Sequence, residues 1–147
     1  MDKKFTTYDP TAAGSKGLIY FGDKILVYRR DSRTTLHPHE LDLPGGGAEG
    51  KESPFETFVR EVREEFGVQI TADVIIASTT YPSTLQPDRV AYFFVAKLPA
   101  TAAMQIVFGT EGSEYMLMEP AEFISRTDGW PIMQDRTKDY LDSLAKP

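Results

Sequence analysis

Glu61, Glu64 and Glu65 fall within five positions in "REVREEFGV", residues 60–68, with Arg60 and Arg63 among them. On a helix Glu61 and Glu65 are i, i+4 neighbours of like charge, a repulsion of roughly 0.2–0.5 kcal/mol. Glu56 and Glu64 lie at pairing distance from Arg60, whereas no basic residue has the spacing to relieve Glu61 and Glu65. A solvated, salt-bridged face is the plain alternative. The uncompensated repulsion and the glycine-rich "PGGGAEG" just upstream favour a metal site instead. Carboxylates with no Cys or His beside them form an oxygen-only donor set, suited to Mg²⁺ or Mn²⁺. Glycines let backbone approach an ion and its phosphate ligands without side-chain obstruction.

The helix that must carry these residues is strongly specified. Ser53 is a natural N-cap, Pro54 fits the first helical position, Glu56 closes a capping box and Gly67 is a natural stop. Phe55, Phe58, Val59, Val62 and Phe66 form one apolar stripe, with the three glutamates on a flank away from its centre. Upstream, "SKGLIYF" and "KILVYRR" read as a hairpin turning at Gly22-Asp23. "HPHELDLPGGGAEG" reads as a loop around a short extended "LDL". Downstream, "DVIIASTTY", "RVAYFFVAKL" and "MQIVF" read as strands, with "EYMLM" a shorter one. Pro120 opens a short helix through Arg126. Pro131 opens a last helix with Ile132, Met133, Tyr140, Leu141 and Leu144 toward the core. Strands mixed with three helices, without regular βαβ alternation, predict a mixed sheet packed between helices.

The whole chain limits the partners. Its 147 residues make one domain, 1–147, without repeats or linkers. A net charge of −6 argues against a long nucleic acid, which needs a basic surface, but leaves open a small anion held through metal. With no cysteine there is neither a disulfide framework nor a thiolate site. No apolar run is long enough for a membrane span and "MDKKFTTYDP" lacks a signal-peptide core, so the expected location is cytoplasmic.

From Gly46 to Val68 the chain resembles the Nudix box, G-x5-E-x7-R-E-U-x-E-E-x-G-U, with U a bulky aliphatic. Gly46, Glu52, Arg60, Glu61, Val62, Glu64, Glu65, Gly67 and Val68 fill all nine specified positions. At average residue frequencies a chance match at a given start is on the order of 10⁻⁹. A looser likeness to MutT-type members runs from "ILVYRR" through "LDLPGG" to "GTEGSEYM". The resemblance implies an α/β/α sandwich and a hydrolase that splits the pyrophosphate of a nucleoside diphosphate linked to a moiety X. It implies Mg²⁺, or Mn²⁺, held by Glu61 and Glu65 with Glu64 and the Gly45 carbonyl. Arg60 would orient the carboxylates and Glu52 would support the loop–helix geometry.

Outside the box, members of the family place a further carboxylate on a loop. Glu111, between Gly109 and Gly112, resembles it more than Glu114 does, and its glycines would let the loop swing toward the metal. Arg29, Arg30 and His39 are candidates for substrate contact; His37 and Trp130 are weighed as surface and packing residues. Pro82, fourteen positions after Val68, only approximates the proline of members acting on ADP-ribose. The favoured substrate is a small nucleotide derivative such as ADP-ribose or a nucleotide sugar. The alternatives are MutT-type triphosphate clean-up and a non-catalytic nucleotide-binding module.

Overall fold

The computed structural model describes residues 5–145. The hairpin forms as its sequence predicts, with β1 (Ala12–Phe21) and β2 (Lys24–Arg30) turning at Gly22-Asp23, where Gly22 takes φ 67°. The two strands then part, because pairing is confined to Tyr20↔Ile25 and Phe21↔Lys24. β1 runs parallel to β6 (Val90–Leu98) along its whole length, and β6 in turn pairs antiparallel with β5 (Ile75–Pro82). β2 pairs antiparallel with β7 (Gly112–Met118), longer than "EYMLM" alone, and with β3 (Leu41–Asp42).

"GGG" is a strand and not a loop. β4 (Gly45–Gly47) pairs antiparallel with the first half of β1, Gly14 opposite Gly47 and Lys16 opposite Gly45. A Cβ on Gly14 would stand 2.5 Å from the Gly46 carbonyl oxygen, so the approach of these two backbones requires glycine. The result is a mixed sheet of seven strands.

Alternating residues feed two cores. Ile19, Leu26, Tyr28, Tyr92 and Phe94 pack on one face with Phe58, Val62 and Phe66 of α1 (Pro54–Phe66). Leu18, Ile25, Val27, Phe93 and Val95 pack on the other with Phe123 of α2 (Pro120–Ser125) and Met133 of α3 (Pro131–Ala145). This is the α/β/α sandwich. Leu144 lies outside it, 63% exposed. No helix among the described residues is long and apolar enough to cross a membrane.

"MQIVF" is not a strand. Residues Ala100–Gln105 form a 3₁₀ helix, and the chain then crosses the C-terminus of α1. Val107 N–H donates to the Phe66 carbonyl and Gly109 N–H to that of Glu65. The last carbonyls of a helix have no partner within it, and these amides satisfy them in place of a sheet neighbour.

Candidate active site

α1 starts with the full capping box: the Ser53 hydroxyl accepts the Glu56 amide and the Glu56 carboxylate accepts the Ser53 amide. Glu56 is thereby engaged and does not pair with Arg60. Gly67 ends the helix at φ 68°. The buried Ser15 hydroxyl donates to the Pro54 carbonyl at 2.7 Å and ties β1 to the helix start.

The three glutamates are not equivalent, and they are not a common solvated flank. Glu65 is 7% exposed and the Glu61 side chain 14%, whereas the Glu64 side chain is 57% exposed. Glu61 also has the basic partner that helical spacing alone did not offer. Arg60 folds back along α1 and donates to Glu52 (2.6 Å), Glu61 (3.0 Å), Glu64 (3.3 Å) and the Gly47 carbonyl (2.9 Å). The Arg60 guanidinium holds the Glu52 carboxyl below its usual range, and Glu52 raises Arg60 in return. Glu52 also accepts the Glu49 amide and the Thr57 hydroxyl, so loop and helix are clamped together.

Glu61 and Glu65 rest against glycine backbone. A Cβ on Gly46 would come within 2.5 Å of the Glu61 carboxyl carbon, and one on Gly109 within 3.0 Å of Glu65 Oε1. Burial pushes both carboxyls up, and so does the negative charge of Glu111; Glu64 adds to it at Glu61, and Glu61 at Glu65. Arg60 opposes the shift at Glu61, as the Glu111 amide does at Glu65. Glu111 N–H donates to Glu65 Oε1 at 3.0 Å. Gly109 and Gly112 are both closely engaged. Gly109 N–H is bound to Glu65, and a Cβ on Gly112 would stand 2.7 Å from the Arg29 carbonyl oxygen. Both serve close approach.

Glu61 and Glu111 open into one cavity of about 420 Å³, with Gly45 and Gly46 in its wall. The all-oxygen donors and the mutual repulsion of Glu61, Glu65 and Glu111 fit a hard divalent cation. Among the described residues no three acidic or histidine side chains already stand at ligand-set spacing. Arg60 takes Oε1 of Glu61 and the Glu111 amide takes Oε1 of Glu65, so each carboxylate keeps its other oxygen clear of these bonds.

Of the outer candidates, Arg30 lines this cavity and Arg29 does not, as alternation along β2 dictates. Arg29 is spent on Glu114 (2.9 Å), Asp128 (3.1 Å) and the His39 carbonyl (2.9 Å). His39 is exposed, at φ 65°, away from the cavity. Its neighbour His37 stacks on Trp130 at 4.9 Å, with Nδ1 3.0 Å from Glu40. Trp130 packs in the second core and also lines the cavity. Pro82 closes β5, and the following Ser83–Gln86 turn borders the cavity mouth.

Several site residues escaped the sequence reading. Asp42, fully buried, accepts from Lys16 Nζ (2.9 Å), Arg30 (2.8 Å) and the Tyr28 hydroxyl (3.1 Å) beneath the cavity. Arg136 lines it from α3. Its signal was present: Met133, Arg136, Thr137 and Tyr140 follow the i, i+3, i+4, i+7 stripe.

A NUDIX domain family model matches residues 14–140. A search of the curated proteins finds no match. Among solved structures, a MutT protein from Methanosarcina mazei Go1 superposes with a TM-score of 0.74 at 21% identity, over 90% of this chain and 94% of that one. A C. elegans Ap4A hydrolase, solved as a binary complex, gives 0.65 at 18% identity over 90% and 98%. A bifunctional NMN adenylyltransferase/ADP ribose pyrophosphatase from Francisella tularensis, complexed with AMP and a Mn ion, gives 0.68 at 14% identity. It is matched over 92% of this chain and only 42% of its own length. At these identities the likeness is one of fold.

Proposed function

The chain belongs to the Nudix family and is a hydrolase of its pyrophosphatase kind; on that premise we propose that residues 1–147 act as one domain on a nucleoside diphosphate linked to a second moiety X. The observation that carries this reading is the polarity of the cavity. Glu61 and Glu111 line it together with the basic side chains of Lys16, Arg30, Arg89 and Arg136. Such a cavity accommodates a ligand that bridges to metal through its phosphates and offers more than phosphate to the protein.

Glu61, Glu65 and Glu111, with the Gly45 carbonyl, would hold the cation, and Glu64 reaches it from the exposed flank. A divalent cation, Mg²⁺ or Mn²⁺, supplies neutralisation of the phosphoryl oxygens and a more acidic bound water. Arg60 is a positioning residue: its bonds to Glu61, Glu64, Glu52 and Gly47 fix the carboxylates relative to the glycine strand. Arg30, held in the wall by Asp42, faces the substrate's anionic part. Glu111, exposed on its loop, takes the proton of the attacking water; Glu64 is the other carboxylate free enough to do so.

The activities named for the superposable proteins, on Ap4A and ADP-ribose, support a dinucleotide or nucleotide-sugar type of ligand. The resemblance to MutT-type members supports a second reading, hydrolysis of nucleoside triphosphates. Release of phosphate-bearing product from ADP-ribose, nucleotide sugars, dinucleotides and triphosphates, each with Mg²⁺, Mn²⁺ or EDTA, tests both. A higher kcat/KM on the diphosphate-linked compounds is expected. A preference for triphosphates moves the assignment to the second reading, and turnover undiminished in EDTA removes the metal.

A further inference from the structure

Arg136 is 6% exposed, and among the described residues its side chain makes no hydrogen bond and no ion pair. Its guanidinium lies 4.7 Å from the centre of the Tyr81 ring and otherwise faces the cavity it lines. The other sheltered arginines are all engaged: Arg29 with Glu114 and Asp128, Arg30 with Asp42, Arg60 with Glu52 and Glu61, Arg89 with the Ala12 carbonyl. An arginine cannot shed its charge by losing its proton, and the Arg136 guanidinium keeps contact with solvent only through the cavity, where a ligand would replace that solvent. Asp42, the acidic group whose field reaches Arg136, already holds Lys16 and Arg30. Four basic side chains, Lys16, Arg30, Arg89 and Arg136, thus line the cavity against two acidic ones, Glu61 and Glu111, in a protein of net charge −6.

We propose that the Arg136 wall of the cavity recognises a second anionic group, a phosphate or carboxylate carried by X, distinct from the pyrophosphate that is cleaved. Tyr81 fixes the recognising group. Its hydroxyl donates to Asp139 at 3.2 Å and its ring meets Phe93 edge-on, so the guanidinium lies against a ring held at both ends, and its N–H groups have no protein acceptor among the described residues. A neutral sugar or base would accept a hydrogen bond yet leave the buried charge uncompensated. The inference rests on the nucleotide-substrate reading above for its location, and it narrows X to acidic moieties.

Two measurements decide it. Trp130, the single tryptophan, lines the same cavity and reports on occupancy. In EDTA, where the glutamates repel anions, inorganic phosphate and malonate should each give a saturable change in Trp130 emission. Arg136→Met should weaken this at least ~10-fold and Arg136→Lys less. The second measurement compares matched substrates: UDP-glucuronate with UDP-glucose, and ADP-ribose with and without a 2′-phosphate. At least one acidic member should be favoured ~10-fold in kcat/KM, and Arg136→Met should bring that ratio toward one through KM. Which pair responds separates a phosphate from a carboxylate. Circular dichroism and the Arg136→Lys protein separate loss of recognition from loss of fold. Anion binding that is equal in wild type and Arg136→Met overturns the proposal, as do ratios near one in wild type. If all four substrates are refused while anion binding still depends on Arg136, the anion site stands and the proposed substrate class falls.

Discussion

Glu65 accepts the Glu111 amide at 3.0 Å while the negative charge of Glu111 raises the cost of ionising the Glu65 carboxyl. Backbone amides of Gly109 and Glu111 thus bring together a helix residue and a loop residue whose charges oppose each other. The site is held in tension by design of its surroundings, and that tension has measurable consequences.

Activity and stability should move in opposite directions at this site. Glu61→Gln and Glu65→Gln each remove a charge from the proposed cation site with little change of shape, so turnover at saturating Mg²⁺ should fall at least ~10²-fold. Both carboxyls are raised in the folded protein, so their charged forms oppose folding at neutral pH, and that opposition is relieved as pH falls through the folded value. In EDTA at pH 7.5, Glu65→Gln should therefore melt a few degrees higher than wild type, the scale of about 1 kcal/mol in a domain of this size. With Mg²⁺ the order should reverse, because only the wild type gains binding energy. Thermal melts of both proteins, with and without the cation, check this.

The same raised carboxyls set the acid limb of activity. Ligation needs Glu61 and Glu65 ionised, and burial delays that ionisation to a pH above the ordinary glutamate value of 4.5. Activity should rise from acid toward mildly alkaline pH, and its acid limb should shift to lower pH as Mg²⁺ is increased, since cation and proton compete. Rate profiles at two Mg²⁺ concentrations are the measurement. A limb that stays in place would detach the profile from these ligands.

Glu111 and Glu114 should differ sharply. Glu111 lines the cavity, whereas Glu114 points to Arg29 at 2.9 Å on the far side of β7. Glu111→Gln is expected to lower kcat more than ~10-fold with a modest change in KM, the pattern of an interaction made mainly in the transition state. Glu114→Gln exchanges an exposed ion pair worth about 0–1 kcal/mol and should leave kcat nearly unchanged. A larger kcat loss in the Glu114 protein would reverse the assignment.

Asp42 should matter first for folding. It is the shared acceptor of Lys16, Arg30 and Tyr28, and its other oxygen takes the Leu43 amide at 2.7 Å. Asp42→Ala leaves two cations without their buried partner, a loss of about 3–5 kcal/mol. Urea titration should show a lower midpoint at unchanged slope. A midpoint within error of wild type would mean that water compensates both cations.

Much of this site was legible because local rules and function coincide in the box. Ser53, Pro54, Glu56 and Gly67 bound the helix by capping chemistry that depends on near neighbours alone, and the apolar stripe chooses its buried face. What failed depends on distant partners. "MQIVF" has strand composition, but its amides meet the end of α1, which no short window reveals. The three glycines 45–47 read as a loop by composition, and only Gly14, some thirty residues earlier, makes them a strand. Arg60 was paired by helical spacing with Glu56 and Glu64; Glu52 and the Gly47 carbonyl, which draw it along the helix, belong to a loop whose path was open. Asp42 in "LDL" looked like an ordinary alternation, since its two cations come from β1 and β2.

The segment laid over the end of α1 also orders events in time. Glu65 and the Glu111 amide are 46 residues apart along the chain, with β5 and β6 between them. α1 closes on itself through contacts a few residues long, which form quickly, while the loop that turns toward Glu65 must await a distant closure. A nascent chain that has emerged only through β6 already carries the box helix but not Glu111. On the proposed assignment of Glu111 as a ligand, full affinity for cation should come only once this loop has docked on α1, so metal uptake should mark completion of folding and not precede it.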